Sequence, residues 1–259
     1  KPIICTNPCA EVPPEDGGAC NLGSINLSRF VKDGFTANAS IDWDQLAEST
    51  ETLVRFLDNV VTWNEDLNAL EKQRKAAAET RRLGLGVMGI ADMLNQLGVG
   101  YDSEQGLMMI EKVMEYITNA AYQASSFIAK EKSPSPIFNE KSYMKCPFVL
   151  EALSPQTHSM IKKNGLRNIA IMSIAPTGSI SNIVLGYKGE KQNYIGVSGG
   201  VEPVFSVFYT RRSESFGNKF FKVFHSTIQA YIDKMGLQKE VDEAEDIENV
   251  LPEYLTRTA

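Results

Sequence analysis

The chain of 259 residues contains only four cysteines and two histidines. So few cysteines exclude a secreted scaffold held together by disulfides, and they favour a reducing compartment, the cytoplasm. The histidines, His158 and His225, lie far apart along the chain and far from the cysteines, and no Cys-x-x-Cys pair occurs. We therefore expect no zinc site and no metal bound directly by this chain.

The chain also lacks an excess of basic charge and lacks long apolar runs. Its net charge of -6 argues against a non-specific nucleic-acid surface, which needs a basic stripe. No run of 18 apolar residues occurs, so the sequence predicts no transmembrane helix. We expect neither nucleic acid nor a membrane as a partner. The N-terminus has no signal peptide and no initiating methionine, so we expect the chain to begin inside a longer protein.

Long helical patterns alternate with short apolar runs, which predicts the α/β class. Apolar spacing predicts an amphipathic helix from Asp42 and a longer one over residues 103–130. Residues 71–82 are charged and predict a solvated helical stretch. The apolar run that opens residues 168–186 predicts a strand buried on both faces. Residues 186–205 predict a long loop, and residues 217–259 predict mainly helix.

Two glycine-containing motifs have ordinary explanations. "GLGVMG" at 84–89 fits the dinucleotide pattern, but helical sequence precedes it, so we predict close backbone packing and no NAD site. "SGGVEP" at 198–203 is compatible with a site lined by bare backbone, and equally with a simple turn. We predict that Cys5 and Cys146 are packing residues.

"APTGSIS" at 175–181 places a small-residue turn directly after the apolar run. Such a turn can direct backbone N–H groups and two hydroxyls towards one phosphate. No lysine follows the glycine, so this is not a Walker loop. Taken alone, an ordinary strand-to-helix cap explains the motif as well.

The stretch from Asn7 to Leu27 contains closely spaced proline and glycine, which prevents a helix and favours a shaped loop. In an extended loop Asn7, Cys9 and Glu11 face the same way. A nearby carboxylate raises a thiol pKa, which disfavours an ordinary cysteine nucleophile. The pattern is compatible with a sulfur radical and with Glu11 as a base. A loop with an incidental cysteine is an equally open interpretation.

Four motifs in this order resemble the catalytic subunit of ribonucleotide reductase. They are "NPCAE" with "GACNLGSINL", "RRLGLGVMGIADML" (81–94), "GLRNIAIMSIAPTGSIS" (165–181) and "SGGVEPVFSVFYTRR" (198–212). Their wording is closer to the adenosylcobalamin-dependent class II enzymes than to class I large subunits. The resemblance implies part of a ten-stranded α/β barrel, in a single domain over residues 1–259. It places a central finger loop at about 5–27 and a phosphate-binding turn at about 175–181.

The resemblance also implies roles for individual residues. Cys9 matches the cysteine that becomes a thiyl radical and abstracts the ribose 3′-hydrogen, and Glu11 matches the carboxylate that accepts the 3′-hydroxyl proton. Asn7 matches the amide that orients the sugar hydroxyls. Cys20 matches one of two cysteines that supply two electrons and end as a disulfide. The implied substrate-binding residues are Asn7, Pro8, Cys9, Ala10, Glu11, Pro176, Thr177, Gly178, Ser179 and Ile180.

The implied activity is reduction of ribonucleoside diphosphates to deoxyribonucleotides for DNA replication. Adenosylcobalamin is the implied cofactor, a thioredoxin or glutaredoxin type protein the reductant, and a homodimer one expected assembly. The second redox cysteine, the effector-binding region and the C-terminal end have no counterpart in this chain. We therefore expect a fragment that is inactive without the N-terminal part of the subunit. The alternatives are a class I large subunit with a separate radical-generating subunit, and an inactive half-barrel that associates with an N-terminal fragment.

Overall fold

The computed structural model of the chain describes residues 2–213, 217 and 219–256. Backbone contacts divide the chain into two compact units. The first unit comprises Lys1–Ile25, Trp43–Val87 and Glu111–Ala175, and the second comprises Asn26–Asp42, Met88–Ile110 and Pro176–Ala259. No helix among the described residues is long and apolar enough to cross a membrane.

Helices and strands are mixed along the chain. The strands are Asn21–Asn26 (β1), Val31–Lys32 (β2), Ser40–Ile41 (β3), Leu83–Met88 (β4), Leu185–Lys188 (β5), Asn193–Ile195 (β6), Phe208–Ser213 (β7) and Lys219–Phe224 (β8). The helices are Trp43–Asn64 (α1), Glu71–Thr80 (α2), Ile90–Leu97 (α3), Glu104–Lys132 (α4), Glu140–Tyr143 (α5), Pro147–Ala152 (α6), Pro155–Asn164 (α7), Ser226–Met235 (α8), Gln238–Glu243 (α9) and Glu253–Thr256 (α10). Within the described ranges the strands form two-stranded sheets that pair β1 with β4, β2 with β3, β5 with β6 and β7 with β8.

Two long helices supply much of the core of the first unit. Both were predicted from apolar spacing, and α1 and α4 confirm the prediction to within two residues at the predicted ends. Their buried stripes consist of Leu46, Val54, Leu57 and Val61 on α1, and Val113, Ile117, Ala121, Ala124 and Ile128 on α4. Apolar residues repeated every three to four positions lie on one face of a helix, and this face is the one that is buried. The spacing of apolar residues therefore predicts which side chains enter this core.

The apolar run after residue 168 lies beside β4, although it is not a regular strand. The Leu85 N–H donates to the Ile171 carbonyl (2.8 Å), and the Ser173 N–H donates to the Leu85 carbonyl (2.7 Å). An isolated parallel bridge joins Leu85 and Met172. The prediction of a buried strand here is therefore only partly confirmed.

The glycines of "GLGVMG" allow this close backbone approach. A Cβ added to Gly86 would lie 2.4 Å from the Ser173 carbonyl oxygen, and one added to Gly84 would lie 2.7 Å from the Cys20 Sγ. Neither distance is possible for a real side chain. The prediction that these glycines serve close packing is confirmed.

The structure corrects two predictions in the second unit. Residues 186–205 are not one long loop, because β5 and β6 form an antiparallel hairpin there. The segment predicted as helical from 217 opens with β8, whose aromatic sequence KFFKVF suits a strand. Residues 214–216, 218 and 257–259 lie outside the described residues. One buried apolar cluster of this unit is formed by β8, the residues before its hairpin and the helices that follow, and its buried members are Val207, Phe224, Ile228, Ile232, Val241, Ile247, Leu251 and Leu255.

Arg81 corrects the prediction that residues 71–82 are solvated, because it is 2% exposed. Its Nε donates to the Asp58 Oδ1 (2.8 Å), and its Nη2 donates to the Asp58 carbonyl oxygen (2.8 Å). The Asn168 Nδ2 donates to the same Asp58 Oδ1 (3.0 Å) and to the Arg81 carbonyl (2.9 Å). One buried ion pair thus joins α1, the end of α2 and the start of the segment beside β4.

Arg81→Met should lower the free energy of unfolding by about 3–5 kcal/mol, because it removes the nearer cation from the buried Asp58 carboxylate and leaves the Arg167 Nε at 3.5 Å. Urea denaturation measures this loss. The matched control is Arg55→Met, which breaks the exposed Arg55–Glu131 pair (2.8 Å) and should cost much less. Adding Asp58→Leu to Arg81→Met should recover part of the stability. Equal losses for the Arg55 and Arg81 variants would contradict this account.

Candidate functional site

The loop that holds Cys9 folds back on itself as a narrow hairpin in the first unit. The Asn7 N–H donates to the Val12 carbonyl (3.2 Å), and the Val12 N–H donates to the Asn7 Oδ1 (2.9 Å). Further from the tip, the Ile4 N–H donates to the Pro14 carbonyl (3.2 Å). The Asn7 side chain, two residues before Cys9, therefore closes the hairpin.

A tight turn forms the tip of this hairpin. The Ala10 N–H donates to the Asn7 carbonyl (3.0 Å), and Ala10 has a φ of 63°, which residues other than glycine rarely adopt. Cys9 lies inside the turn and is exposed. The prediction of a shaped loop without a helix is confirmed. The expected extended backbone over Asn7, Cys9 and Glu11 is wrong, because the turn interrupts the alternation that would have placed the three side chains on one side.

Glu11 has an unusual environment for a carboxylate. Its Oε2 is buried and accepts no hydrogen bond from the described residues. Its backbone carbonyl accepts a hydrogen bond from the Ser173 Oγ (2.8 Å), which holds this part of the loop against the segment beside β4. A buried polar atom without a partner costs free energy, so a donor from outside the described chain would be accommodated here.

Cys20 lies between groups of opposite charge. Burial raises the pKa of its thiol to about 11; the Arg82 charge opposes this rise, and the Glu11 charge adds to it. Cys20 therefore keeps its proton at neutral pH. The structure brings the Glu11 carboxylate close enough to act on Cys20, which the sequence did not indicate.

Arg82 is a member of this site that the sequence analysis missed. Its Nη2 donates to the Glu15 Oε2 (2.9 Å), and its Nε is buried without an acceptor among the described residues. The Glu15 carbonyl accepts the Gly18 N–H (2.8 Å), so Arg82 also anchors the loop between the two cysteines. The sequence placed Arg82 in the motif "RRLGLG", but its proximity to Cys20 depends on the fold.

The predicted phosphate turn lies in the second unit and has a distinctive backbone. Thr177 has a φ of 53°, which is strained for a β-branched residue. Its Oγ1 accepts the Gly200 N–H (2.8 Å), while Gly178 and Ser179 are exposed. The short 3₁₀ helix Ile180–Asn182 follows.

The "SGGVEP" segment packs its bare backbone against this turn. A Cβ on Gly199 would lie 2.6 Å from the Pro176 carbonyl oxygen. The Glu202 N–H donates to the Gly199 carbonyl (2.8 Å), so the segment is also a turn in its own right. The prediction of a turn is confirmed, and a site lined by this bare backbone stays a prediction.

The other two cysteines differ from Cys20 in being exposed, and Cys5 lies in the same hairpin as Cys9. Cys5 and Cys146 are exposed, so the prediction that they are packing residues is wrong. Cys146 precedes the proline that opens α6 and occupies its N-cap, which leaves the thiol outside the core. None of the four cysteines is in a disulfide.

Within the described part of the chain, no cluster of three or more histidine, cysteine, aspartate or glutamate side chains could hold a metal ion.

Comparison with known proteins defines the class of protein that this fold and these loops belong to. Residues 1–257 match the family model described as the ribonucleotide reductase barrel domain. The chain therefore belongs to the ribonucleotide reductase barrel-domain family.

Individual members of this family are similar to the chain over part of their length. The chain is 36% identical over 209 residues to the vitamin B12-dependent ribonucleoside-diphosphate reductase of Mycobacterium tuberculosis, covering 81% of this chain and 25% of the relative. It is 37% identical over 209 residues to the protein of the same name from Thermoplasma acidophilum, covering 81% and 23%. It is 28% identical over 240 residues to the ribonucleoside-diphosphate reductase subunit alpha of Chlamydia pneumoniae, covering 82% and 21%. The chain thus spans about a quarter of the length of these relatives.

One solved structure supports the fold. The class Id ribonucleotide reductase alpha subunit of Actinobacillus ureae matches with a TM-score of 0.65 over 99% of this chain and 42% of that chain, at 22% identity. At this identity the match shows the fold alone.

The charges around Cys20 predict opposite effects of two substitutions on its alkylation. In a chain where Cys5, Cys9 and Cys146 are replaced by serine, Glu11→Gln should lower the Cys20 pKa and speed its reaction with iodoacetamide. Arg82→Gln should raise that pKa and slow the reaction. The thiolate is the nucleophile, so each pKa unit changes the rate up to about tenfold below the pKa.

The measurement is the alkylation rate between pH 8 and pH 11, followed by mass spectrometry. Arg82→Lys is the matched control, because it keeps the charge and should stay closer to the parent rate. Two substitutions that change the rate in the same direction would contradict this electrostatic account.

Proposed function

We propose that this chain is the radical-bearing part of a ribonucleotide reductase catalytic subunit, which reduces ribonucleoside diphosphates to deoxyribonucleotides. The observation that supports this most strongly is the hairpin of Asn7–Val12. It holds an exposed thiol at Cys9 and, two residues later, a buried Glu11 carboxylate oxygen that accepts no hydrogen bond from the described residues. A hydrogen-abstracting sulfur and a proton acceptor are the two groups that activation of a ribose 3′ carbon requires.

Cys9 and Glu11 have complementary roles in this proposal. The Cys9 sulfur, as a radical, takes the hydrogen from the ribose C3′ and becomes a thiol, and Glu11 accepts the 3′-hydroxyl proton. The Glu11 Oε2, which has no hydrogen-bond partner in the described part of the chain, suits a hydroxyl donor, because a bond formed there satisfies a buried acceptor. Asn7 orients the sugar hydroxyls from the base of the turn.

Cys20 supplies half of the reducing equivalents. Two thiols give up two electrons and two protons and become a disulfide, the 2′-hydroxyl leaves as water, and C2′ gains a hydrogen. A thiol donor must keep its proton until the reaction, and the raised pKa of Cys20 is consistent with that need. The second cysteine of the pair has no match in this chain and would belong to the N-terminal part of the subunit.

The substrate phosphates are assigned to the turn formed by Pro176, Thr177, Gly178, Ser179 and Ile180. Exposed residues at Gly178 and Ser179 leave backbone and a hydroxyl accessible to an anion. The strained Thr177 backbone supports a functional role, since such conformations persist where the surroundings hold them in place.

The cofactor that fits this proposal is adenosylcobalamin. The exposed Cys9 sulfur suits a radical generator that approaches from outside this chain. Relatives named vitamin B12-dependent are 36% and 37% identical, against 28% for the Chlamydia pneumoniae alpha subunit, which favours this cofactor over a separate radical-generating subunit. When bound, adenosylcobalamin would supply the one-electron oxidant of the Cys9 sulfur.

The remaining parts of the enzyme lie beyond this chain in the proposal. Residues 1–259 would form one domain that contributes to a ten-stranded barrel, with the hairpin as its central finger. Exposed apolar side chains at Ile3, Ile4 and Leu22 support completion by an N-terminal segment, and they also support the second candidate, a half-barrel that is inactive by itself. A thioredoxin or glutaredoxin type reductant, a homodimer and a cytoplasmic location complete the proposal.

Cys9→Ala should reduce deoxyribonucleotide formation to background in the completed enzyme, because no sulfur remains to carry the radical. Cys20→Ala should still release tritium from 3′-labelled substrate while forming no deoxyribonucleotide over repeated turnovers. Cys5→Ala is the matched control and should retain activity, since its exposed thiol has no role here. Both product formation and tritium release are measured with the N-terminal part present.

Two outcomes would overturn parts of this proposal. Activity in Cys9→Ala would remove the radical assignment. Deoxyribonucleotide formation by this chain alone would show that no N-terminal part is needed.

A further inference from the structure

A buried carboxylate in the second unit holds the segment that packs on the proposed phosphate turn. Asp92, on α3, is 0% exposed. Its Oδ2 accepts two hydrogen bonds from Ser198, one from the backbone N–H (2.7 Å) and one from the Oγ (2.6 Å). Its Oδ1 accepts a hydrogen bond from the Thr227 hydroxyl on α8, and the His225 Nδ1 lies 3.8 Å from the same oxygen.

Ser198 is fixed through its backbone as well. Its carbonyl accepts the N–H of Gly89, the residue that caps the start of α3 (2.9 Å). Three atoms of one serine are thus bound to α3 and its cap. This arrangement sets the direction in which the chain leaves Ser198.

The chain leaves Ser198 towards the proposed phosphate turn. Gly199 has no room for a Cβ beside the Pro176 carbonyl, and the next residue, Gly200, donates its N–H to the Thr177 Oγ1 (2.8 Å). A displacement of Ser198 would therefore move the Gly200 N–H, which is the only donor to the Thr177 Oγ1 among the described residues. Thr177 belongs to the turn itself.

Burying a charged carboxylate is costly unless it is fully hydrogen-bonded, so its presence calls for an explanation. Helix packing alone would be served as well by an apolar side chain of similar volume. A carboxylate differs because one oxygen can accept both the N–H and the hydroxyl of a single residue, which fixes orientation and not only distance.

We propose that Asp92 is a positioning residue for the substrate phosphates: through Ser198 and Gly200 it fixes Thr177 in the proposed phosphate turn. This inference rests on the function proposed above for that turn. Asp92 itself does not touch the substrate.

Two readouts test the proposal on Asp92→Asn and on Ser198→Ala, which removes only one hydroxyl. The first is hydrogen exchange on this chain, where both variants should speed amide exchange in residues 198–202 by about tenfold or more, the scale of a lost bond to a charged group. The second is steady-state kinetics in the completed reductase. There the KM for a ribonucleoside diphosphate should rise about tenfold while kcat stays within about twofold.

Thr227→Val is the matched control, because it cuts the bond from Asp92 to α8 and leaves the bonds to Ser198. It should change exchange in α8 more than in residues 198–202, and it should leave the KM near the parent value. Unchanged exchange in residues 198–202, or an equal KM effect from Thr227→Val, would overturn the positioning role. Absence of reduction by the parent enzyme would instead overturn the proposed function, and the exchange data would still decide whether Asp92 fixes the segment.

Discussion

The buried ion pair between Arg81 and Asp58 is the constraint on which the first unit depends. Its two charges are out of water, so they must stay together, and Asn168 joins the same carboxylate. This fixes where α2 ends, where β4 begins and where the segment beside β4 starts. The next residue after the pair, Arg82, then lies beside Cys20 and binds Glu15. The buried pair therefore also positions Arg82, the neighbouring residue, which contacts the loop between Cys9 and Cys20 through Glu15.

The two cysteines of the loop differ because the fold gives them different surroundings. Cys9 lies in a turn at the tip of a hairpin and is exposed. Cys20 is half-buried next to β4, where Gly84 leaves room for its sulfur, and burial keeps it protonated. An accessible sulfur suits one-electron chemistry with a partner from outside, and a protonated, sheltered sulfur suits a donor of hydrogen equivalents. Glu11 links the two environments, since its carboxylate affects Cys20 while its loop holds Cys9.

The second unit uses backbone contacts where the first uses side-chain charge. The proposed phosphate turn is held by a donor from Gly200, by the close approach of Gly199 and by a left-handed Thr177. Glycine permits this closeness because it has no Cβ. The carboxylate of Asp92 accepts hydrogen bonds from the backbone N–H and the hydroxyl of Ser198, the residue before these glycines. Both units therefore place a rigid polar network directly behind an exposed loop.

The sequence alone determined the features that depend on neighbouring residues. Apolar period fixed α1 and α4, proline and glycine spacing indicated the loop around Cys9, and four ordered motifs identified the family. Features that depend on residues far apart in sequence escaped it. The burial of Arg81 and the approach of Arg82 and Glu11 to Cys20 arise only when distant segments pack. Burial and charge are properties of the packed surroundings, so only the tertiary structure decided which polar residues build the site.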